Sequence, residues 1–106
     1  MSQSFLLRKS ITTSESPILI AAGASYFFRR IQLCNQNNAT VHVFVGVTAG
    51  RAFAQQGDWL MYHYDITGYG VATIDNVLVP DGHELRAYAG TADSISMVGS
   101  GVMERA

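Results

Sequence analysis

Residues 39–47 carry the cleanest pattern in the chain. Val41, Val43, Val45 and Val47 alternate with His42, Phe44 and Gly46. Successive side chains of an extended strand point to opposite faces, and β-branched residues suit a pleated surface, so the valine row is predicted to be core. The same period of two recurs elsewhere. A short strand or arm is predicted over 5–11, a strand over 18–22 that stops at Gly23, and a longer strand over 25–34. In the last of these, strict alternation puts Phe27, Ile31 and Leu33 on one face and Tyr26, Phe28 and Arg30 on the other. An aromatic strand over 58–66 follows, with Trp59, Met61 and His63 expected on one face and Leu60, Tyr62 and Tyr64 on the other. Further strands are expected over 71–79, after the Pro80-Asp81-Gly82 turn, and over 95–102.

Polar breaks separate these runs about every ten residues. Thr12 to Pro17, Asn35-Gln36-Asn37-Asn38 and Thr67-Gly68-Tyr69-Gly70 are turn sequences, since Asn tolerates left-handed backbone and Gly meets no steric cost there. Residues 48–57, rich in Ala, Gly and Gln, read as a loop with room for a helical turn. No window sustains a helical period of apolar residues behind a cap. About eight short strands with tight connections predict an all-β chain: a single antiparallel β-sandwich of jelly-roll type, with a small closed barrel as the alternative. The 106 residues suffice for one core, so one domain is expected over 1–106, with 1–16 as a possible N-terminal arm.

Composition shifts the picture towards association. Charged residues are 14% against 48% hydrophobic, which leaves much of a monomer's surface uncharged. Cores of protein–protein interfaces are depleted in Lys, Glu and Asp, so contact with another chain accounts for this; a well-packed sandwich coated with Ser, Thr, Asn and Gln is the plainer account. The net charge is −1, and Arg29-Arg30 is the one adjacent basic pair away from the N-terminal segment. Strand neighbours point apart, so no basic patch is expected, and nucleic acid is not an expected partner. Met1 to Lys9 lacks the apolar run of a signal peptide, and no segment has the length of a membrane span. Cys34 is the single cysteine. It can form neither an intrachain disulfide nor a cysteine zinc site, and is read as a small buried hydrophobe.

Catalytic patterns are missing or incomplete. A cupin-like metal site needs a His-x-His pair, but Phe44 stands two residues after His42 and Asp65 two after His63. The Pro80-Asp81-Gly82 turn imitates the second cupin motif, yet Leu85 occupies the position where a histidine is required. A set drawn from His42, His63, His83 and Glu84 is conceivable, but no metal or other cofactor is expected, and these histidines read as surface or strand-edge residues. Gly99-Ser100-Gly101 is strand-like and no nucleophile elbow, its glycines marking a bulge or close backbone approach. Scattered carboxylates select no acid–base pair, so no enzyme activity is expected. Trp59, Tyr62, Tyr64 and Tyr69 are open to three readings: an ordinary aromatic core, a subunit contact, or a sugar-stacking platform.

From about Arg30 to its end the chain resembles the small β-sandwich virion proteins of tailed bacteriophages, the capsid decoration or cement proteins and related head and tail accessory proteins. The passages that carry the likeness are Ile31 to Asn35 with the Asn-rich turn, Val41 to Val47, the aromatic strand, Asn76 to Ala89 across the Pro80-Asp81-Gly82 turn, and Ile95 to Glu104. The chain departs from that texture where His83 follows Gly82 and where Met103 separates Val102 from Glu104. The resemblance implies a jelly-roll-like fold, a homo-oligomer (dimer or trimer), location in the virion and binding to the major capsid protein or other virion proteins. The expected role is a non-enzymatic capsid decoration or cement protein. A neck, tail or baseplate accessory protein, and a carbohydrate- or receptor-binding module, are the alternatives. Expected contact residues are Phe5, Leu6, Leu7 and Arg8 in the arm, with Arg29, Arg30, Phe44, Trp59, Tyr62 and Tyr64.

Overall fold

The computed structural model describes residues 2–50 and 58–106. The described residues form eight strands: β1 (Ser2–Ile11), β2 (Ser16–Ile20), β3 (Ala24–Asn35), β4 (Val41–Thr48), β5 (Trp59–Ile66), β6 (Val71–Val79), β7 (Glu84–Ala89) and β8 (Ile95–Arg105). They make two four-stranded antiparallel sheets, ordered β1-β8-β3-β6 and β2-β7-β4-β5. This interleaved order is that of a jelly roll, two open sheets face to face and no closed barrel. Most of the loop expected over 48–57 lies outside the described residues. Among the described residues, no helix is long and apolar enough to cross a membrane.

The core forms where the inner faces meet. Val41, Val43, Val45, Leu85, Ala87 and Ala89 on one sheet face Phe28, Ile31, Leu33, Val77, Val79, Ile95 and Met97 on the other, all buried. Three of the four predicted core valines are sealed; Val47 is half-buried against the cluster. Residues 2–11 pair with β8 along their whole length, from Ser2–Glu104 to Ile11–Ile95. Phe5 and Leu7 thereby point inward, and Leu6 and Arg8 outward.

Strict alternation fails in β3, and the register shows why. Phe28 pairs with Gly101 and Val77, whereas Arg30 pairs with Ser100 and Asp75. Arg29 is an extra residue against β8, and it falls opposite Asn76, whose φ of 60° is left-handed. A bulge moves every following side chain to the other face. Phe28 is therefore buried along with Ile31 and Leu33, and Phe27, which alternation puts on their face, lies outward at 36% exposure. Phe27, Val102 and Leu78 form an apolar row across three adjacent strands. The bulge also leaves Arg29 and Arg30 both exposed, against the expectation of opposite faces.

The glycines of β8 serve the same region. A Cβ on Gly99 would stand 2.7 Å from the Phe28 ring, and one on Gly101 would overlap the Phe27 carbonyl oxygen. Gly99 thus makes room for the largest side chain of the core. At one end of the sandwich, buried Asn35 staples two connections. Its Nδ2 donates to the carbonyl oxygens of Ala39 (2.9 Å), Ile66 (2.9 Å) and Thr67 (3.1 Å), while Oδ1 accepts from the Asn37 amide. At the other end, the Asp81 carboxylate accepts from the Gly23 amide at 2.8 Å. The Pro-Asp-Gly turn is thereby pinned to the β2–β3 connection.

An aromatic face on the β2-β7-β4-β5 sheet

The jelly-roll order sets β4 between β7 and the edge strand β5, which gathers side chains distant in sequence. Phe44 and Tyr88 are directly opposite in the β4–β7 register and both point away from the core. Their rings stack with centroids 4.3 Å apart at 9°. Phe44 is 8% exposed although it faces outward, because other rings cover it. Trp59 lies 5.7 Å from it, and Tyr62 meets it edge-on at 5.3 Å. Trp59 and Tyr62 also pack edge-to-face at 5.1 Å and 71°. Such pairs add to the energy of area burial. The Tyr62 side chain is the outermost member, at 67% exposure.

This grouping differs from the faces that alternation predicts for β5. Gly46 pairs with Trp59, Val45 with Met61, and Val43 with Tyr64. Leu60 is an extra residue, and so is one of Tyr62 and His63. Met61 therefore turns into the core while Trp59 and Tyr62 lie together outside. His63 has φ 48°, a left-handed conformation uncommon for a non-glycine residue, and this turns its ring onto the outer face. There it stacks on His42, with centroids 4.1 Å apart at 9°. Both imidazoles stand nearly perpendicular to Phe44, at 5.7 Å and 5.6 Å. His42 is further fixed by Gly90. The Gly90 amide donates to the His42 carbonyl, and a Cβ on Gly90 would overlap the imidazole ring. Asp65 is opposite His42 in the register, and its Oδ1 is 3.8 Å from His63 Nδ1.

Beside the rings, half-buried Arg86 lies between two carboxylates. Its Nη1 donates to Glu84, and its buried Nε is 3.3 Å from Glu15 Oε2 without an aligned hydrogen bond. Burial first, then the charges of Glu15 and ionised Tyr62, push the Tyr88 phenol above its ordinary pKa.

The residues expected to make contacts thus divide between two surfaces. Phe44, Trp59 and Tyr62 come together here; Phe44 is the floor, Trp59 is half-buried and Tyr62 is exposed. Tyr64 (49%) and Tyr69 (74%) are exposed, and neither shares a ring contact with the cluster among the described residues. The rest lie on the β1-β8-β3-β6 sheet. Phe5 packs edge-on against Tyr26 and Phe28, Leu7 packs on the core, Leu6 is 59% exposed, Arg8 and Arg29 are exposed, and Arg30 pairs with Asp75 at 3.1 Å. Cys34, read as buried, is half-buried in an outward row with Ser96 and Val71. Sequence reasoning missed His42, His63 and Tyr88 as members of the aromatic face. The outward alternation of Glu84, Arg86 and Tyr88 could have placed Tyr88, but the stacking of the histidines depends on the bulge.

Among the described residues, His42, His63 and Asp65 are the group whose metal-ligating atoms converge, all within 4.8 Å of one another. His83 and Glu84 do not join them. They lie at the far end of β7 from Gly90 and His42, about 20 Å away at the rise of an extended strand.

No protein-family model matches the chain, and no curated protein matches it in sequence. Its likeness is to solved structures at low identity. A chain of the acid-stable capsid of Helicobacter pylori bacteriophage KHP30 superposes with a TM-score of 0.55 at 14% identity, over 100% of this chain and 94% of that one. A chain of the infectious bursal disease virus Gx strain gives 0.55 at 11% identity, over 97% of this chain, which spans about a third of that one (33%). A chain of the Bacillus endospore appendages, which form disulfide-linked pili, gives 0.54 at 8% identity, over 99% and 87%. At such identities the likeness extends to the fold. This chain is an eight-stranded jelly roll of a kind found in viral and phage capsid structures.

Proposed function

We propose that this chain is a structural protein of a phage virion, a decoration or cement protein that binds the major capsid protein shell. The observation that carries the reading is the aromatic face. Exposed Tyr62 and half-buried Trp59 stand on a fixed floor of Phe44 and Tyr88, on the outside of a rigid sheet. Trp and Tyr dominate the energetics of protein contacts because they bury much area at little entropic cost. Their rings here meet edge-to-face at 71°, so they make a knob for a protein pocket and offer no flat platform for a sugar ring. The match to one chain of a phage capsid, over 100% of this chain and 94% of that one, supports a jelly roll that takes part in a shell. The second apolar surface, Phe27, Val102 and Leu78, is available for contacts between copies in a homo-oligomer.

The test is the copy number of this chain in purified particles, by quantitative mass spectrometry against the major capsid protein. Abundance comparable with the shell subunit supports decoration of a lattice. A handful per particle moves the protein to neck, tail or baseplate, where symmetry permits few copies. Absence from particles refutes the virion reading. In parallel, the Trp59→Ala, Tyr62→Ala double variant is expected to remain folded and lose binding to undecorated particles. Retained binding removes the aromatic face from the contact.

A further inference from the structure

We propose that His42, His63 and Asp65 form a binding site for one zinc-class divalent cation on the outer face of the β2-β7-β4-β5 sheet. The site stands apart from the virion reading, since it is a property of the isolated chain.

The donor set is two imidazole nitrogens and one carboxylate oxygen. Neutral imidazole with carboxylate suits Zn²⁺ and its first-row neighbours, while Mg²⁺ and Ca²⁺ prefer all-oxygen sites. Three protein ligands leave a fourth tetrahedral position for water or a donor from a docked molecule. The geometry needs a modest closure. Donors around a tetrahedral zinc lie about 3.4 Å apart, given bonds of about 2.0–2.1 Å. The present donors fall within 4.8 Å, and the two that must move are free to do so. The His63 and Asp65 side chains are 56% and 64% exposed on an edge strand.

The backbone supports this use in two places. His42 is held by the Gly90 hydrogen bond and by van der Waals contact along that strand, so one ligand is preset. His63 sits on a bulge in left-handed backbone, an arrangement that costs about 1 kcal/mol or more and concentrates at functional positions. Without the bulge, its ring would not lie beside His42. Asp65 is opposite His42 by register, so all three donors converge across one strand pair. At 3.8 Å from His63 Nδ1, the Asp65 carboxylate is too far for a hydrogen bond to the ring. Parallel stacked rings aim their in-plane lone pairs in parallel, so binding tilts His63 and opens the 4.1 Å stack. A bound cation would cross-link the edge strand β5 to β4 beneath the aromatic knob.

The experiment is a calorimetric titration of the chelator-stripped full chain with Zn²⁺ alone, with Co²⁺ absorbance as a coordination probe. One-to-one binding with Kd at or below about 10 µM is expected. It should weaken at least about tenfold in His63→Asn and in Asp65→Asn, and stay unchanged in His83→Asn. Asn tolerates the left-handed backbone at position 63, so that variant removes the imidazole with little strain. Affinity should fall on acidification, since protons compete with the cation for its ligands. In the unaltered chain, zinc should shift the imidazole nitrogen resonances of His42 and His63 and leave those of His83 in place, a readout that needs no variant. Failure to bind one equivalent, equal affinity in the position 63 and 65 variants, or zinc shifts confined to His83 would each overturn the proposal.

Discussion

Truncating Phe28 or Phe27 to alanine tests the bulge at Arg29, on which the face assignment of β3 depends. Phe28 is fully buried, meets Phe5 edge-on at 4.9 Å and lies over the space left by Gly99. Loss of a sealed phenylalanine typically costs about 3–5 kcal/mol, transfer and cavity terms together. Phe27 is 36% exposed on the outer face, and its loss should cost about 1 kcal/mol or less. A domain of this size holds about 5–15 kcal/mol in all, so Phe28→Ala removes a large share and Phe27→Ala a small one. With a urea m-value of about 1.5 kcal/mol/M, the midpoint should fall by roughly 2–3 M for Phe28→Ala and by well under 1 M for Phe27→Ala. Far-ultraviolet circular dichroism is the right probe, because the single tryptophan sits on the opposite sheet's outer face. If Phe27→Ala costs as much as Phe28→Ala, the bulge is misplaced and strict alternation holds in this strand.

Other consequences follow from the same packing. Gly99→Ala should cost about 1–3 kcal/mol by crowding the Phe28 ring, and much less in a Phe28→Leu background; a double-mutant cycle in urea measures that coupling. Asn35→Ala should cost about 1–3 kcal/mol by orphaning buried carbonyls, and Asn35→Asp more at neutral pH, where a carboxylate would face the oxygens of Ala39, Ile66 and Thr67; urea unfolding at neutral and acid pH separates the two. Tyr88 titrates above its ordinary value because burial disfavours the phenolate, so the folded state binds this proton more tightly than the unfolded chain. Its effect on stability is absent below the unfolded tyrosine pKa, near 10, and stability declines as the pH rises from there through the folded value. Tyr88→Phe should flatten that alkaline decline in thermal melts, and an unchanged pH profile would refute the assignment.

What could be read from the sequence was local. The valine row of β4, the spacing of the turns and the lack of helical periodicity determined an all-β sandwich of about eight strands, because period-two burial and turn chemistry act between near neighbours. The resemblance carried by residues 30–104 pointed to the same fold. Three of the contact residues named from sequence, Phe44, Trp59 and Tyr62, do share one surface. Their grouping could not be derived by alternation, which separates Trp59 from Tyr62. Tertiary structure decided the rest at a few irregular residues. An extra residue at Arg29, opposite left-handed Asn76, put Phe28 rather than Phe27 on the core face with Ile31 and Leu33, and extra residues in β5 sent Met61 inward and set His63 on His42. A bulge is a property of two strands in register, and its partner lies tens of residues away. One inserted residue reverses every later side chain, so strand faces were settled only when the sheets paired.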